Sequence, residues 1–232
     1  MRALIIPELR KRWPTARVIH ELPLRYSTNR IDLAAVTETE IISIEIKSSR
    51  DVLDRLEAQV RAFALISSPG DCGTCSEMES GADLVETVPT KYGTSTTYTK
   101  QSSETQELIE RIRKVGDLDH LETWTVCHET GAVEVTEGRY RNSSTPWLAR
   151  MLDLLHVAEL EQVAYRHRIS VGKRPTHAFM VSQCLDLMTG REVVAAVCAA
   201  LRARDAFAEG TDPPIYSGSI PAPLPPRQPA ML

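Results

Sequence analysis

Two short apolar runs separated by a polar segment stand out between residues 30 and 46. Isoleucine, leucine and valine occupy positions 31, 33 and 36, residues 37–40 are polar, and isoleucine returns at positions 41, 42, 44 and 46. β-Branched residues on both sides of a polar turn are typical of a β-hairpin. We therefore predict two antiparallel strands joined at residues 37–40.

Three charged residues interrupt this apolar pattern. Asp32 lies in the first run, and Glu45 and Lys47 lie at the end of the second. Side chains alternate along a strand, so Glu45 and Lys47 share one face. Twelve residues separate Asp32 from Glu45, and a hairpin would bring the two carboxylates together. The pattern predicts convergence of all three groups at one end of a sheet.

Two neighbouring carboxylates repel each other and lose solvation. Placing them together therefore costs folding free energy, which is unexpected in a sheet that has no functional site. A divalent cation removes that cost, since Mg²⁺ prefers one or two carboxylates together with water and phosphate oxygens. We expect Asp32, Glu45 and the backbone carbonyl of Ile46 to be its ligands. Lys47 would orient a bound water or stabilise developing charge, and the chemistry this suits is phosphodiester hydrolysis.

The elements on either side add candidate groups. Residues 16–25 predict a strand with Val18, His20, Leu22 and Leu24 on one face and Glu21 on the other. A helix from about residue 51 to about residue 65 would face the sheet through Val52, Leu56, Val60 and Phe63, with Gln59 bordering that stripe. An N-terminal helix ending at Pro14, with Pro7 in its first turn, would carry Glu8 as a further acid.

The spacing of Asp32 from Glu45-Ile46-Lys47 resembles the D-x(n)-(D/E)-x-K signature of the PD-(D/E)XK nuclease superfamily. Glu21 resembles the extra upstream acid of many members, and Gln59 resembles the glutamine of the Q-x-x-x-Y helix in the RecB-like branch, with Phe63 in place of tyrosine. The resemblance covers residues 1–67, and more narrowly it extends to small standalone bacterial and phage members.

The resemblance implies an α/β fold with a restriction-endonuclease-like αβββαβ core and a mixed central sheet. It also implies a set of site residues. The catalytic group would be Asp32, Glu45, Lys47, Glu21 and Gln59. Mg²⁺ or Mn²⁺ would be held by Asp32, Glu45 and the Ile46 carbonyl, with Glu21 and Glu8 as further acids. Separately from the resemblance, the distribution of basic residues makes Arg30, Arg50 and Arg55 candidates for phosphate contacts.

The rest of the chain predicts three regions. Residues 1–140 would form the core, with a loop insertion at about 67–105, a strand at 82–88, a helix at 108–115 and a hairpin at 121–135. Residues 146–208 would form a helical unit, with helices at 147–161 and 182–207, that clamps DNA, dimerises or docks on another protein. Residues 209–232 are rich in proline and would be a disordered tail.

Composition narrows the class of function. The net charge of −4 disfavours a general nucleic-acid-binding protein, yet residues 1–65 carry eleven Lys and Arg against nine Asp and Glu. No apolar run reaches the roughly 18 residues that a membrane helix needs, so we expect a cytoplasmic protein without a membrane partner. Cys72 and Cys75 leave open a zinc-stapled regulator, but free thiols are the simpler expectation.

Two functions therefore follow. The first is an Mg²⁺-dependent deoxyribonuclease. The alternative is a catalytically inactive module of the same fold, which binds nucleic acid or assembles with protein partners through its helices and tail. This alternative stands because a fold can be retained when its catalytic activity is lost.

Overall fold

The computed structural model describes residues 2–47, 53–67, 72–76, 83–86, 123–127, 133–136, 147–205 and 207–216, and for the four strands between residues 72 and 136 it describes chiefly the backbone. The first part of the chain runs, in order, through α1 (Arg2–Arg12), β1 (Arg17–Pro23), β2 (Arg30–Val36), β3 (Ile41–Ile46), a 3₁₀ turn (Leu53–Arg55), α2 (Leu56–Ala64) and β4 (Cys72–Ser76). The second part runs through β5 (Asp83–Glu86), β6 (Thr123–Cys127), β7 (Val133–Thr136), α3 (Leu148–Leu152), α4 (Val157–Arg166), α5 (His177–Leu187) and α6 (Gly190–Ala203).

The described strands form one mixed sheet in the order β1 to β7. The pairs β1–β2 and β2–β3 are antiparallel, as the hairpin pattern predicts, and β4 then joins β3 in parallel. A parallel neighbour requires a crossover connection, and α2 lies in the stretch between β3 and β4. The expectation of a mixed α/β protein is confirmed at this level.

Apolar side chains are buried on both faces of the sheet. On one face Ile19, Ala34 and Ile41 share a cluster with α2 and with the helices α3 to α6. On the other face Val18, Leu33 and Ile42 pack with α1. Full burial of one such large aliphatic side chain is worth roughly 1.5–3 kcal/mol, so both layers hold the first three strands firmly. The predicted helical unit therefore shares a continuous apolar cluster with the sheet.

The N-terminal helix differs from the prediction at Pro7. Pro7 was expected in the first turn, but it is the sixth residue of α1. A proline there removes one helical hydrogen bond, because it has no N–H. Ile5 and Leu9 are fully buried on either side of it. Packing of these two side chains against the sheet accounts for a helix that continues through the proline.

The predicted alternation along β1 is wrong beyond His20. Ile19, Leu22 and Leu24 all belong to the cluster on the α2 face, whereas Val18 lies on the α1 face. Glu21 has a φ of 53°, in the left-handed region. This conformation interrupts the pleat and shifts its phase, so Leu22 and Leu24 lie on the same face as Ile19.

The predicted loop at residues 67–105 contains two strands. The strand after α2 is Cys72–Ser76, and Asp83–Glu86, which falls within the predicted strand at 82–88, is the next one. Turn-forming composition concealed β4 because its residues, CGTCS, have little β-propensity. The hairpin expected at 121–135 is present as β6 and β7. The side chains of Cys72 and Cys75, residues 48–52 and the helix predicted at 108–115 lie outside the described residues.

The C-terminal part was predicted to contain two helices, and the structure has four there. The first is interrupted at residues 153–156, and the backbone N–H of His156 donates to the carboxylate of Glu159 at 2.6 Å as α4 begins. The second starts at His177 rather than Ser182, because the Thr176 hydroxyl caps α5 by accepting from the N–H of Phe179. Local capping groups thus decided where these helices begin. No described helix has the length and apolar content needed to cross a bilayer.

The proline-rich tail was expected to be disordered from residue 209, but residues 209–216 are packed. Asp212 exchanges hydrogen bonds with Val18 through its backbone N–H and its carboxylate, at 2.9 and 3.0 Å. Thr211 accepts from the N–H of His20 at 2.9 Å. These contacts cover the outer edge of β1, which would otherwise present unpaired backbone groups. Residues 217–232 lie outside the described part.

Candidate active site

Three acids occupy facing positions on three neighbouring strands. The pairs His20–Leu33 and Leu22–Ile31 bracket Glu21 and Asp32, which therefore lie across from each other on β1 and β2. The pair Leu33–Ile44 ends the β2–β3 register, and one further step places Asp32 across from Glu45. Adjacent strands are about 4.8 Å apart. Glu21, Asp32 and Glu45 therefore lie on three adjacent strands near the same end of the sheet.

Asp32 lies where the hydrogen-bond ladder between β2 and β3 stops. Its Oδ2 accepts from the backbone N–H of Ile46 at 2.8 Å, so the carboxylate takes the place of a strand partner. Burial raises the pKa of Asp32, while the Ile46 hydrogen bond and the charge of Arg2 oppose that rise. The side chain is 25% exposed, and the carboxylate stays accessible at the end of the sheet.

Glu45 lies deeper, and only 3% of the residue is exposed. Its Oε1 accepts from Lys47 Nζ at 2.7 Å and from Gln59 Nε2 at 2.6 Å. Its Oε2 is buried and has no hydrogen-bond partner among the described residues. Burial, together with the nearby charge of Asp32, raises the pKa of Glu45 to about 7, although Lys47 and Gln59 act in the opposite direction.

Lys47 and Gln59 form a triangle with Glu45. Besides its bond to Glu45, Lys47 Nζ donates to Gln59 Oε1 at 3.1 Å. Gln59 is positioned by α2, whose Leu56, Val60 and Phe63 are buried against the sheet. Because this stripe fixes the rotation of α2, Gln59 is directed toward the end of β3. Phe63, at the position that is tyrosine in the resembling motif, is fully buried in the core.

Two arginines lie at the outer rim of the site. Arg2, the first residue of α1, hydrogen-bonds Glu21 and lies 3.6 Å from Asp32 Oδ1. Arg30 Nε lies 3.6 Å from Glu21 Oε2. The left-handed φ of Glu21 is unusual for a residue with a side chain and costs roughly 1–2 kcal/mol. The ion pairs with Arg2 and Arg30 help to hold Glu21 in that conformation.

The remaining predicted residues are dispersed. Glu8 pairs with Lys11 on its own helix at 3.4 Å, and no described hydrogen bond or ion pair connects it to Asp32 or Glu45. Arg55 is exposed ahead of α2, and Arg50 lies outside the described residues. Thus the structure brings together Asp32, Glu45, Lys47, Gln59 and Glu21, and it does not bring Glu8 to them.

Sequence reasoning missed Arg2. Its contacts cross from α1 to β1 and β2, and Glu21 is 19 residues away in the chain. No local spacing rule connects a helix N-terminus with a strand at that separation. The only available signal was a cationic side chain at the start of the helix with no acidic residue among the next four positions.

The carboxylate oxygens of Asp32 and Glu45 are of the type that a hard divalent cation prefers. Among the described residues no group of three or more His, Cys, Asp or Glu is close enough to hold a metal ion. Asp32 and Glu45 are nevertheless a close pair, and Glu45 Oε2 lacks a donor. One or two carboxylates completed by carbonyl and water oxygens is the arrangement that Mg²⁺ favours. The residues present therefore suit Mg²⁺ or Mn²⁺.

Comparison with known proteins gives one partial match. Residues 1–67 match the family model described as Bacteriophage P4 protein cII. This segment is less than a third of the chain, but it includes α1 to α2 and every residue of the site described above. No curated protein and no solved structure matches the chain.

Proposed function

We propose that this protein is a metal-dependent nuclease that hydrolyses phosphodiester bonds in DNA and has a restriction-endonuclease-like core. The single observation that carries the proposal is the environment of Glu45. Lys47 and Gln59 both bind one of its oxygens, and the other oxygen is buried without a donor. An unsatisfied buried oxygen is costly, and a cation ligand is the role that would offset this cost.

The order of elements supports the same proposal. A helix, three antiparallel strands, a second helix and a strand parallel to β3 follow one another along residues 2–76. This is the αβββαβ order that the resemblance implies. The candidate site then lies at one end of the sheet, where Asp32 and Glu21 remain partly exposed to solvent.

Hydrolysis adds a water oxygen to phosphorus and breaks the bond from phosphorus to the departing sugar oxygen. Asp32, Glu45 and the Ile46 carbonyl would hold Mg²⁺ or Mn²⁺, with Glu21 as an additional acid at the rim. The bound ion supplies charge neutralisation and an acidified water. Lys47 has three N–H donors, of which two are used by Glu45 and Gln59. Its third donor would orient the attacking water or bind a phosphate oxygen.

A nucleic-acid substrate, which we propose is DNA, suits the basic side chains of this part of the chain. Arg30 is exposed beside Glu21, Arg55 is exposed ahead of α2, and Arg50 lies between β3 and α2 in the sequence. Such side chains would contact backbone phosphates and hold the scissile bond at the site.

The direct test incubates the protein with single-stranded, double-stranded and branched DNA in Mg²⁺ or Mn²⁺. We expect cleavage that falls at least a hundredfold in Asp32→Ala and in Lys47→Ala. Asp54→Ala, which removes an exposed carboxylate from the turn before α2, should cleave like wild type. Cleavage that is unchanged in both Asp32→Ala and Lys47→Ala would end the assignment.

A non-catalytic binding module is the second candidate, and two observations favour it. The acids already have protein cations nearby, with Arg2 beside Glu21 and Asp32, and Lys47 beside Glu45. In addition, α5 exposes large apolar side chains, including Phe179 and Leu187, that a protein partner or a second copy would cover.

Metal binding separates the two candidates. A nuclease should gain thermal stability with Mn²⁺, because a ligand that binds only the folded state stabilises it. The gain should disappear in Glu45→Ala and persist in Asp54→Ala. A pure scaffold would melt at the same temperature with and without Mn²⁺.

A further inference from the structure

Arg2 lies against the two acids at the accessible side of the site. It hydrogen-bonds Glu21 and lies 3.6 Å from Asp32, and the same charge opposes the rise of the Asp32 pKa that burial causes. Asp32 is also one of the carboxylates proposed to hold a divalent cation. Arg2 and the divalent cation would therefore both bind the carboxylate of Asp32.

The Arg2 guanidinium and a divalent ion cannot both bind Asp32 without an electrostatic cost. Both neutralise the same carboxylates, and they repel each other at close range. Arg2 sits at the accessible side: its side chain is 36% exposed, whereas Glu45 and Lys47 are nearly buried. Among the described residues, Arg2 and Lys47 are the two cations whose charge acts on Asp32, and of these only Arg2 has room to move.

The anchoring of α1 permits this movement. Ile5 and Leu9 fix the helix on the sheet and are fully buried. Arg2 precedes both and is the first helical residue, so its long side chain can leave Asp32 without repacking the core. Arg2 can leave at little cost, because solvent already screens its partly exposed ion pairs with Glu21 and Asp32.

We propose that Arg2 is a built-in competitor of the divalent cation: its guanidinium holds Asp32 and Glu21 until the ion displaces it, and so it sets the metal concentration at which the site fills. The inference rests on the proposed function only for the metal site that Asp32 and Glu45 form. It assigns to the N-terminal helix a regulatory role that the nuclease proposal does not require.

The test is a calorimetric titration with Mn²⁺ alone, without DNA, so that the result does not depend on activity. Arg2→Gln should bind Mn²⁺ about tenfold more tightly than wild type, because the competing charge is gone. Arg2→Lys keeps the charge and should remain within about threefold of wild type. Arg30→Gln is the matched control, since Arg30 pairs with Glu21 at the same rim and has no described ion pair with Asp32. It too should stay within about threefold.

The outcomes are distinguishable from those of the nuclease test. Unchanged or weaker Mn²⁺ binding by folded Arg2→Gln would overturn the role of Arg2 while leaving the nuclease proposal intact. Tighter binding by Arg2→Gln in a protein that cleaves no DNA would support the role of Arg2 and remove the nuclease. Absence of Mn²⁺ binding by both wild type and Arg2→Gln would overturn the inference. Thermal melts of each variant establish that the comparison is made between folded proteins.

Discussion

Gln59 donates its side-chain N–H to the carboxylate of Glu45 at 2.6 Å and so connects α2 to the end of β3. The same amide accepts from Lys47 through its oxygen, so one neutral side chain hydrogen-bonds both members of a buried ion pair. A buried charge pair is stabilising only when its remaining hydrogen-bonding groups are satisfied. Gln59 therefore determines whether Glu45 and Lys47 can be tolerated in the interior.

Removal of this amide should destabilise the protein. In Gln59→Ala, Glu45 keeps one donor and Lys47 loses an acceptor, so we expect the free energy of unfolding in urea to fall by about 1–3 kcal/mol. Gln183→Ala on α5 is the control, because Gln183 is half-buried, helical and makes no hydrogen bond among the described residues. An equal loss in both variants would show that the Gln59 bonds contribute nothing specific.

The raised pKa of Glu45 predicts a pH dependence of stability. Its pKa is about 7 in the folded protein and near 4.5 in the unfolded chain. The stabilising contribution is therefore complete below pH 4.5 and is lost as pH rises through 7. Without divalent metal, the free energy of unfolding of Glu45→Gln should gain on wild type by on the order of 3 kcal/mol between pH 4.5 and 7.5.

Denaturant unfolding at a series of pH values, with a chelator present, measures this difference. Asp54→Asn is the control, because it changes an exposed carboxylate and should track wild type. A constant difference between Glu45→Gln and wild type across the range would contradict the buried-carboxylate explanation.

The left-handed backbone of Glu21 should reverse the usual order of stability of glycine and alanine variants in a strand. In an ordinary strand alanine is the more stable of the two. At φ 53° glycine avoids the steric cost, so Glu21→Gly should be more stable than Glu21→Ala by about 1 kcal/mol. Arg30, at the start of β2, has an ordinary φ, and there the alanine variant should be the more stable. Thermal unfolding of the four variants gives the comparison, and the same order at both positions would refute the strain at Glu21.

Gly210 tests whether the C-terminal segment is packed on β1. Its φ is +87°, and a Cβ there would lie 2.9 Å from the His20 ring. Gly172 has a φ of +76° but no atom within 4 Å of an added Cβ. Gly172→Ala should therefore cost about 1 kcal/mol from backbone strain alone, and Gly210→Ala should cost at least 1 kcal/mol more. Equal losses in equilibrium unfolding would mean that the segment does not contact His20.

The predictable parts of this structure were those with local causes. The isoleucines at 41–46 and the polar turn before them predicted the hairpin, and the spacing of Leu56, Val60 and Phe63 predicted both α2 and the direction of Gln59. The parts that were missed depend on distant contacts. The strand Cys72–Ser76 has weak intrinsic β-propensity and is held by pairing with β3, and the segment at 209–216 is ordered by Val18 and His20, about 190 residues away.

The same division applies to the candidate site. The sequence by itself determined that Glu45 and Lys47 share a face and that Asp32 lies on the adjoining strand, because strand periodicity and a short turn leave little freedom. Only the tertiary structure decided that Arg2 reaches Glu21 and Asp32, that Glu21 leaves the regular pleat, and that Glu45 is buried with one oxygen unpaired. These features arise from packing between elements remote in the chain, where burial and charge depend on the complete fold.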